Sequence, residues 1–195
     1  MAINDAKHFY PKSAKEWRKW LEKNHEREDA VWVVFYKKSA GQPGITWSEA
    51  VDEALCFGWI DSIKRKLDEE RSIQFFSKRK PKSTWSKINK AKVEQLIAAG
   101  KMRPAGLVCI DIAKGNGSWD VLNAVEELEV PKDLEQAFKR HKGAKLYFDG
   151  LSKSVKKMML QWLALAKREE TRQKRVEELA SMAAEGKRPK QFGGS

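Results

Sequence analysis

The sequence predicts an α+β fold, predominantly helical, with a small antiparallel sheet or hairpin in the N-terminal half and a helical C-terminal region. Three observations predict it. Strand-like runs of β-branched and aromatic residues are confined to the stretch from Val31 to Ser77. Apolar residues recur at helical spacing from Asn89 onward. A hydrophobic content of 41%, with eight Trp and eight Phe, is too rich for disorder even at 34% charged residues. A chain of 195 residues suffices for one ordinary domain, or one domain with a helical appendage.

Ser13 and Glu16 have the spacing of a capping box, and Trp17, Trp20 and Leu21 form an apolar stripe on a helix from about Ala14 to Asn24. Val31–Tyr36 suits a short buried strand, followed by a turn over Gly41–Gly44 around Pro43. Thr46 and Glu49 repeat the capping box and open a helix that turns Ala50, Val51, Ala54 and Leu55 inward, with Gly58 as its left-handed stop. Ile60–Leu67 and Ser72–Ser77 flank the charged turn Asp68–Arg71 as a hairpin, and a loop follows over Lys78–Lys82.

Beyond that loop the chain reads as helical. Asn89 is the expected cap of a helix with Val93, Leu96 and Ile97 on its apolar face, ended by Gly100. Pro104 opens another, stopped at Gly115, before the Asn116-Gly117 loop. Pro131 precedes a short helix over Leu134–Arg140, and residues 143–150 add a turn or two. Val155, Met158, Met159, Trp162, Leu163 and Ala166 mark one C-terminal helix, and Val176, Leu179, Ala180 and Ala183 a second, ended by Gly186. The division falls near Lys78–Lys82, giving an α+β part over 1–82 and a helical part over 83–192; one continuous domain and two domains both remain open. Gly193-Gly194-Ser195 reads as a linker remnant.

The net charge of +12 disfavours an acidic, ligand-buffering protein and is unevenly spread. Residues 64–92 carry eleven Lys and Arg against three acids, a net +8, and residues 153–190 a net +6, so the remainder is close to neutral. In the first stretch Lys64, Arg65, Lys66, Lys78, Arg79, Lys80, Lys82 and Lys87 alternate with Phe75, Phe76 and Trp85. Cations along a phosphate backbone with rings to stack on are what nucleic-acid binding requires, so these cations together with Trp85 form a candidate surface for nucleic acid or another polyanion. The competing reading is the solvent face of a hairpin over an aromatic core. In the second stretch Arg168, Arg172 and Arg175 share one side of a helix, which reads either as a solvated face with i,i+4 pairs or as a helix junction pinned by Arg172 and Arg175.

The signals of catalysis are missing. His8, His25 and His141 follow no metal-ligand spacing, and no nucleophile elbow, phosphate-binding glycine loop, zinc-protease motif or dinucleotide glycine pattern occurs. Cys56 has no nearby His and reads, like Cys109, as a buried reduced thiol, while Asp61 beside Lys64 and Arg65 reads as a charge-assisted bonding partner. No cofactor and no metal are implied. The N-terminal stretch lacks the apolar core of a secretory signal and no window reaches membrane-spanning length, so a cytoplasmic protein without a membrane span is expected.

The run from Glu53 to Ser62, Glu-Ala-Leu-Cys-Phe-Gly-Trp-Ile-Asp-Ser, resembles the signature of the YdeI/OmpD-associated, or bacteriocin-protection, family. Phe75–Pro81, Thr84–Lys87, Asn89, Ala166–Arg168, Thr171-Arg172, Lys174-Arg175 and Gly186–Arg188 fit it as well, so the likeness runs from about Ser13 to Pro189. The resemblance implies protection against bacteriocins or cationic antimicrobial peptides and association with an outer-membrane porin, and brings no catalytic residues. Its matching positions Trp59, Asp61, Lys80, Trp85, Asn89, Arg172 and Arg175 are either a site or a folding core. A chain of net charge +12 repels cationic peptides, which argues against simple sequestration. The expected function is binding of an anionic partner in stress tolerance without catalysis. A protein-interaction module, and an enzyme using Asp61 near Arg65 and Lys80 on an anionic metabolite, are the alternatives.

Overall fold

The computed structural model describes residues 6–193; Gly194 and Ser195 of the expected linker remnant lie outside the described residues. The chain divides into two compact units, Met1–Trp119 and Asp120–Ser195.

The first unit is built on a four-stranded mixed sheet of order β1-β2-β4-β3, from β1 (His8–Phe9), β2 (Ala30–Tyr36), β3 (Trp59–Lys66) and β4 (Arg71–Lys78). β3 and β4 are the predicted hairpin, tightened by the Asp68 carboxylate, which accepts from the Glu70 and Arg71 backbone N–H groups. The hairpin inserts β4, not β3, beside β2. β1 pairs parallel to β2, an addition that two residues without periodicity could not announce.

Both sheet faces are covered. Val31, Val33 and Phe76 point into the main core with Trp17 and Leu21 of α1 (Ala14–Asn24) and Val51, Ala54 and Leu55 of α2 (Trp47–Cys56). Trp32, Val34, Ile73 and Phe75 point the other way and bury against Ala6 and Tyr10. Capping holds as the sequence requires: Thr46 and Glu49 close a reciprocal box at the start of α2. The Trp17 indole donates to the Ala50 carbonyl at 3.0 Å and locks α1 to α2.

α3 (Lys87–Ala98) and α4 (Pro104–Gly115), grouped in the sequence with the helical remainder, place Val93, Leu96, Ile110 and Ala113 in this same core. The cap of α3 is Ser86, whose hydroxyl accepts from the Asn89 N–H at 3.3 Å; Asn89, expected as the cap, is the third helical residue. Ile97 is half exposed, so Val93 and Leu96 alone carry the buried stripe of α3. α4 approaches the end of α2 closely because Gly106 lacks a side chain: a Cβ there would lie 2.4 Å from the Cys56 carbonyl oxygen. At Gly58, φ +73°, an added Cβ would likewise lie 2.7 Å from the Cys109 Sγ.

The second unit is helical: α5 (Asn123–Glu126), α6 (Lys132–Arg140), α7 (Ala144–Gly150), α8 (Lys153–Ala164) and α9 (Glu169–Ala184). Leu134, Phe138, Phe148, Met159, Leu163, Leu179 and Ala180 form its core. α8 buries Val155, Met159, Leu160 and Leu163, whereas Met158, placed on the buried stripe by spacing, is exposed. The stripe is rotated because Leu160 and Leu163 meet the core, leaving the position one residue before Met159 outside.

Candidate functional site

Strand alternation decides where the hairpin cations go. Asp61 opposes Phe76, Lys64 opposes Gln74 and Arg65 opposes Ile73. Lys64 therefore shares the α2 side of the sheet, while Arg65 lies on the other side with its guanidinium 5.1 Å from the Trp32 ring centroid. Lys66 pairs with Glu69, and Lys78 donates to the Asp29 carboxylate at 3.0 Å and the Glu26 carbonyl at 2.9 Å. The eight cations and Trp85 are thus not brought into one patch. On β3, the edge strand of the sheet, Lys64–Lys66 also have the structural role of blocking strand addition.

The loop after β4 gathers what the hairpin separates. Arg79 donates its backbone N–H to the Gly58 carbonyl at 2.9 Å, which turns its side chain inward. The guanidinium lies 3.7 Å from the centroid of Trp85, and its Nη1 donates to the Thr84 carbonyl at 3.0 Å. The residue is only 8% exposed, and Nε has no acceptor among the described residues. Burial pushes its pKa down to about 10, and the Cys109 thiol and the Asp61 carboxylate only partly offset that. Trp85 is buried beneath it and packs on Trp119 at 4.9 Å, so its ring is not a free stacking platform.

Pro81 is held from below. Asn116 Nδ2 donates to the Pro81 carbonyl at 2.8 Å and Ser118 Oγ to the same oxygen at 3.3 Å. These two clamps show in sequence only as an Asn-Gly turn, whose target is not visible locally. Lys80 and Lys82 project from the loop, exposed and without an ion-pair partner among the described residues. A cleft of about 640 Å3 lies against the loop, its lining including Arg79, Lys80, Phe75, Ile60 and Ser62 together with the ion pair of Lys78 and Asp29. Lys87, at the start of α3, is not one of its lining residues.

The remaining candidates separate cleanly. Trp59 is a fully buried core residue whose indole donates to the His25 carbonyl at 3.2 Å. Asp61 does not bond Lys64 or Arg65; it accepts from Trp47 Nε1 at 2.8 Å and Gln74 Nε2 at 2.9 Å. It lies on the sheet face opposite Arg65 and is not one of the residues lining the cleft at Arg79 and Lys80. Burial raises the Cys56 thiol, which Arg18 draws down less strongly, and both cysteines are free. Among the described residues no group of three or more His, Cys, Asp or Glu is arranged to hold a metal ion, and no helix is long and apolar enough to cross a membrane.

In the second unit Arg172 and Arg175 pin a helix junction. Arg172 grips Asp133 of α6 with Nε at 2.6 Å and Nη2 at 3.1 Å, and its Nη1 reaches the Leu163 carbonyl at 3.3 Å. Arg175 Nη1 donates to the Trp162 carbonyl at 2.5 Å, and the guanidinium stacks 4.9 Å from that indole. Both guanidiniums thereby reach carbonyls in the last turn of α8, where the Leu163 oxygen also accepts from the Ala166 N–H at 3.1 Å. Burial pushes the Asp133 carboxyl up, and Arg172 more than offsets it, leaving it below the usual carboxylate range.

Two family models match the chain, and each falls within one unit. Residues 9–109, just over half of the chain, match the model described as a domain of unknown function, DUF8412. Residues 127–186 match the model described as Bacteriocin-protection, YdeI or OmpD-Associated. No curated protein and no solved structure matches.

Proposed function

We propose that this chain, which belongs to the DUF8412 family and matches the bacteriocin-protection, YdeI or OmpD-associated model over residues 127–186, is a cytoplasmic, non-enzymatic protein that binds an anionic partner. The partner is nucleic acid or another polyanion, and it is held at the loop after β4. One observation carries the reading: Arg79 is a guanidinium nine-tenths buried, with no carboxylate bonded to it and one donor unmet, at the wall of a cleft that Lys80 also lines. An isolated buried charge costs several kcal/mol unless an opposite charge meets it, and a phosphate entering the cleft supplies that charge. Lys80 and Lys82 extend the positive field outward, where a chain of phosphates rather than a single ion is tracked.

Bacteriocin protection enters this reading indirectly. A chain of net charge +12 repels cationic peptides, so tolerance follows from what the protein does with an anionic partner rather than from capture of the peptide.

The test is fluorescence anisotropy with a single-stranded oligonucleotide and with polyphosphate over a range of salt. The wild-type affinity is expected to fall steeply with salt, and the Lys80→Glu, Lys82→Glu double variant to lower the slope by about 2 along with the affinity. Absence of any salt-sensitive affinity for either polymer overturns the proposal. A second reading, protein interaction, is favoured by the exposed Leu107, Val108 and Ile112 on α4. Sedimentation of the wild type against the Val108→Glu variant separates it, because only that reading requires an assembly that the charge dissolves.

A further inference from the structure

A second cleft, of about 340 Å3, lies on the α2 side of the sheet, where β2 ends and α2 begins. It shares no lining residue with the cleft at Arg79. Its apolar walls are Phe35, Ile45 and Trp47, and its cations are Lys37, Lys38 and Lys64. Lys64 reaches it because of a bulge: Lys64 is three positions after Asp61, so strict alternation would place the two on opposite faces, yet the register shift between them puts both on this one.

Trp47 is a preorganised platform. Half of its surface is exposed, yet its indole N–H is fixed to Asp61 at 2.8 Å, and Asp61 is itself held by the nearly buried Gln74 amide at 2.9 Å. Two nearby carboxylates are held in place by neutral donors and keep their charge. Asp61 bonds Trp47 and Gln74, and Glu49 Oε2 accepts from the Thr46 N–H at 2.8 Å and its hydroxyl at 2.7 Å. Lys37, Lys38 and Lys64 have no ion-pair partner among the described residues. The capping box takes up the Thr46 and Glu49 N–H groups at the start of α2, and the lysines supply the positive charge for an anion.

We infer that this cleft is an independent binding site for a small, planar aromatic anion, a ring stacked on Trp47 with its carboxylate or phosphate held by Lys37, Lys38 and Lys64. The volume lies at the low end of the range for ligand sites, which suits one ring system and one anionic group. An exposed, immobilised indole loses little entropy when a ring stacks on it, and lysines beside an apolar wall hold an anion more firmly than lysines in open water.

Calorimetric titration of the full chain tests this with adenosine monophosphate and naphthalene-2-carboxylate as the two sources of such an anion. Adenosine and 2-naphthamide serve as uncharged counterparts, and inorganic phosphate as the ringless one. At least one aromatic anion is expected to bind about tenfold tighter than its uncharged counterpart and than phosphate. That preference should vanish in the Lys37→Gln, Lys64→Gln double variant. Affinity should fall about tenfold in Trp47→Ala and hold within about threefold in Trp47→Phe. Should Trp47→Ala fail to fold, Trp47→Phe and the lysine double variant carry the test alone. Preference for the nucleotide marks a mononucleotide site and preference for the naphthoate an aromatic-acid site, and either supports the assignment. It is overturned if neither anion saturates below a concentration on the order of 1 mM, if phosphate alone binds as well, or if the lysine variant keeps the preference. Because Lys80 and Lys82 lie outside this cleft, their charge reversal should leave these affinities unchanged, which separates failure here from failure at the loop.

Discussion

Arg79 in the first unit and Arg172 in the second are both guanidiniums drawn into protein, and they are treated in opposite ways. Arg172 closes a two-point grip on Asp133 and reaches the end of α8. Arg79 has one carbonyl and one indole face, and its Nε is left over. A satisfied guanidinium is accounted for by folding, whereas one with a donor left over has capacity for a further acceptor. The units differ in backbone contact too. Gly58 and Gly106 of the first unit sit against neighbouring atoms, while Gly143, Gly150 and Gly186 of the second meet nothing within 4 Å.

The largest effect expected from this contrast is at Gly106. Gly106→Ala drives a Cβ against the Cys56 carbonyl, which is backbone and cannot swing away, so the first unit should lose about 3 kcal/mol or more. Hydrogen exchange resolved along the chain should show the loss in the first unit, and an equal loss in both would deny the division into units.

Arg172→Ala should lower the stability of the second unit by about 1–2 kcal/mol, discounted because both partners are partly exposed to water. The pH dependence sharpens the point. Because Asp133 is depressed below the ordinary carboxylate value, its contribution is present above about pH 4 and is lost as the pH falls through its lower folded value. In Arg172→Ala burial remains without the guanidinium, so acid unfolding should begin at a higher pH. An unchanged acid transition would show that the grip contributes nothing.

Arg79→Met should do the opposite. The native pKa of about 10 lies below that of the unfolded chain, so at neutral pH the folded state carries a penalty for keeping this group charged. Removing the charge while retaining the stem over Trp85 should raise stability by about 1 kcal/mol after the Thr84 hydrogen bond is lost, and should weaken polyanion binding. A destabilised Arg79→Met that binds normally would make Arg79 a folding residue like Arg172. The smallest effect is at Gly150: Gly150→Ala, in open space within α7, should stabilise the second unit by no more than about 1 kcal/mol in denaturant titration.

Much of this molecule is local and therefore legible. The capping box at Thr46, the Ser13 cap (whose Glu16 reaches the Lys12 N–H rather than closing the expected box), the stop at Gly58 and the buried stripe of α9 follow from spacing and from the backbone donors that every helix start leaves open. The junction role of Arg172 and Arg175 was one of two readings open from their shared helix side. β1 is too short to carry a period, and the clamp of Asn116 and Ser118 on Pro81 joins residues 35 and 37 positions apart in sequence. Trp47, Lys37 and Lys38 drew no attention, because an aromatic at a helix start and two lysines after a strand are ordinary until the fold sets them around one cleft.

By itself the sequence determined the α+β class, the positions of the longer strands and helices, and the concentration of cations between residues 64 and 92. Tertiary structure alone decided what those cations face. A strand exposes alternate residues to opposite sides, so pairing register assigns each side chain its face, and a one-residue bulge reverses the assignment for all that follow. That reversal carries Lys64 to the Trp47 cleft and Arg65 to Trp32, while the Gly58 carbonyl turns Arg79 inward. Each depends on a partner strand or turn distant along the chain, which no window of residues contains.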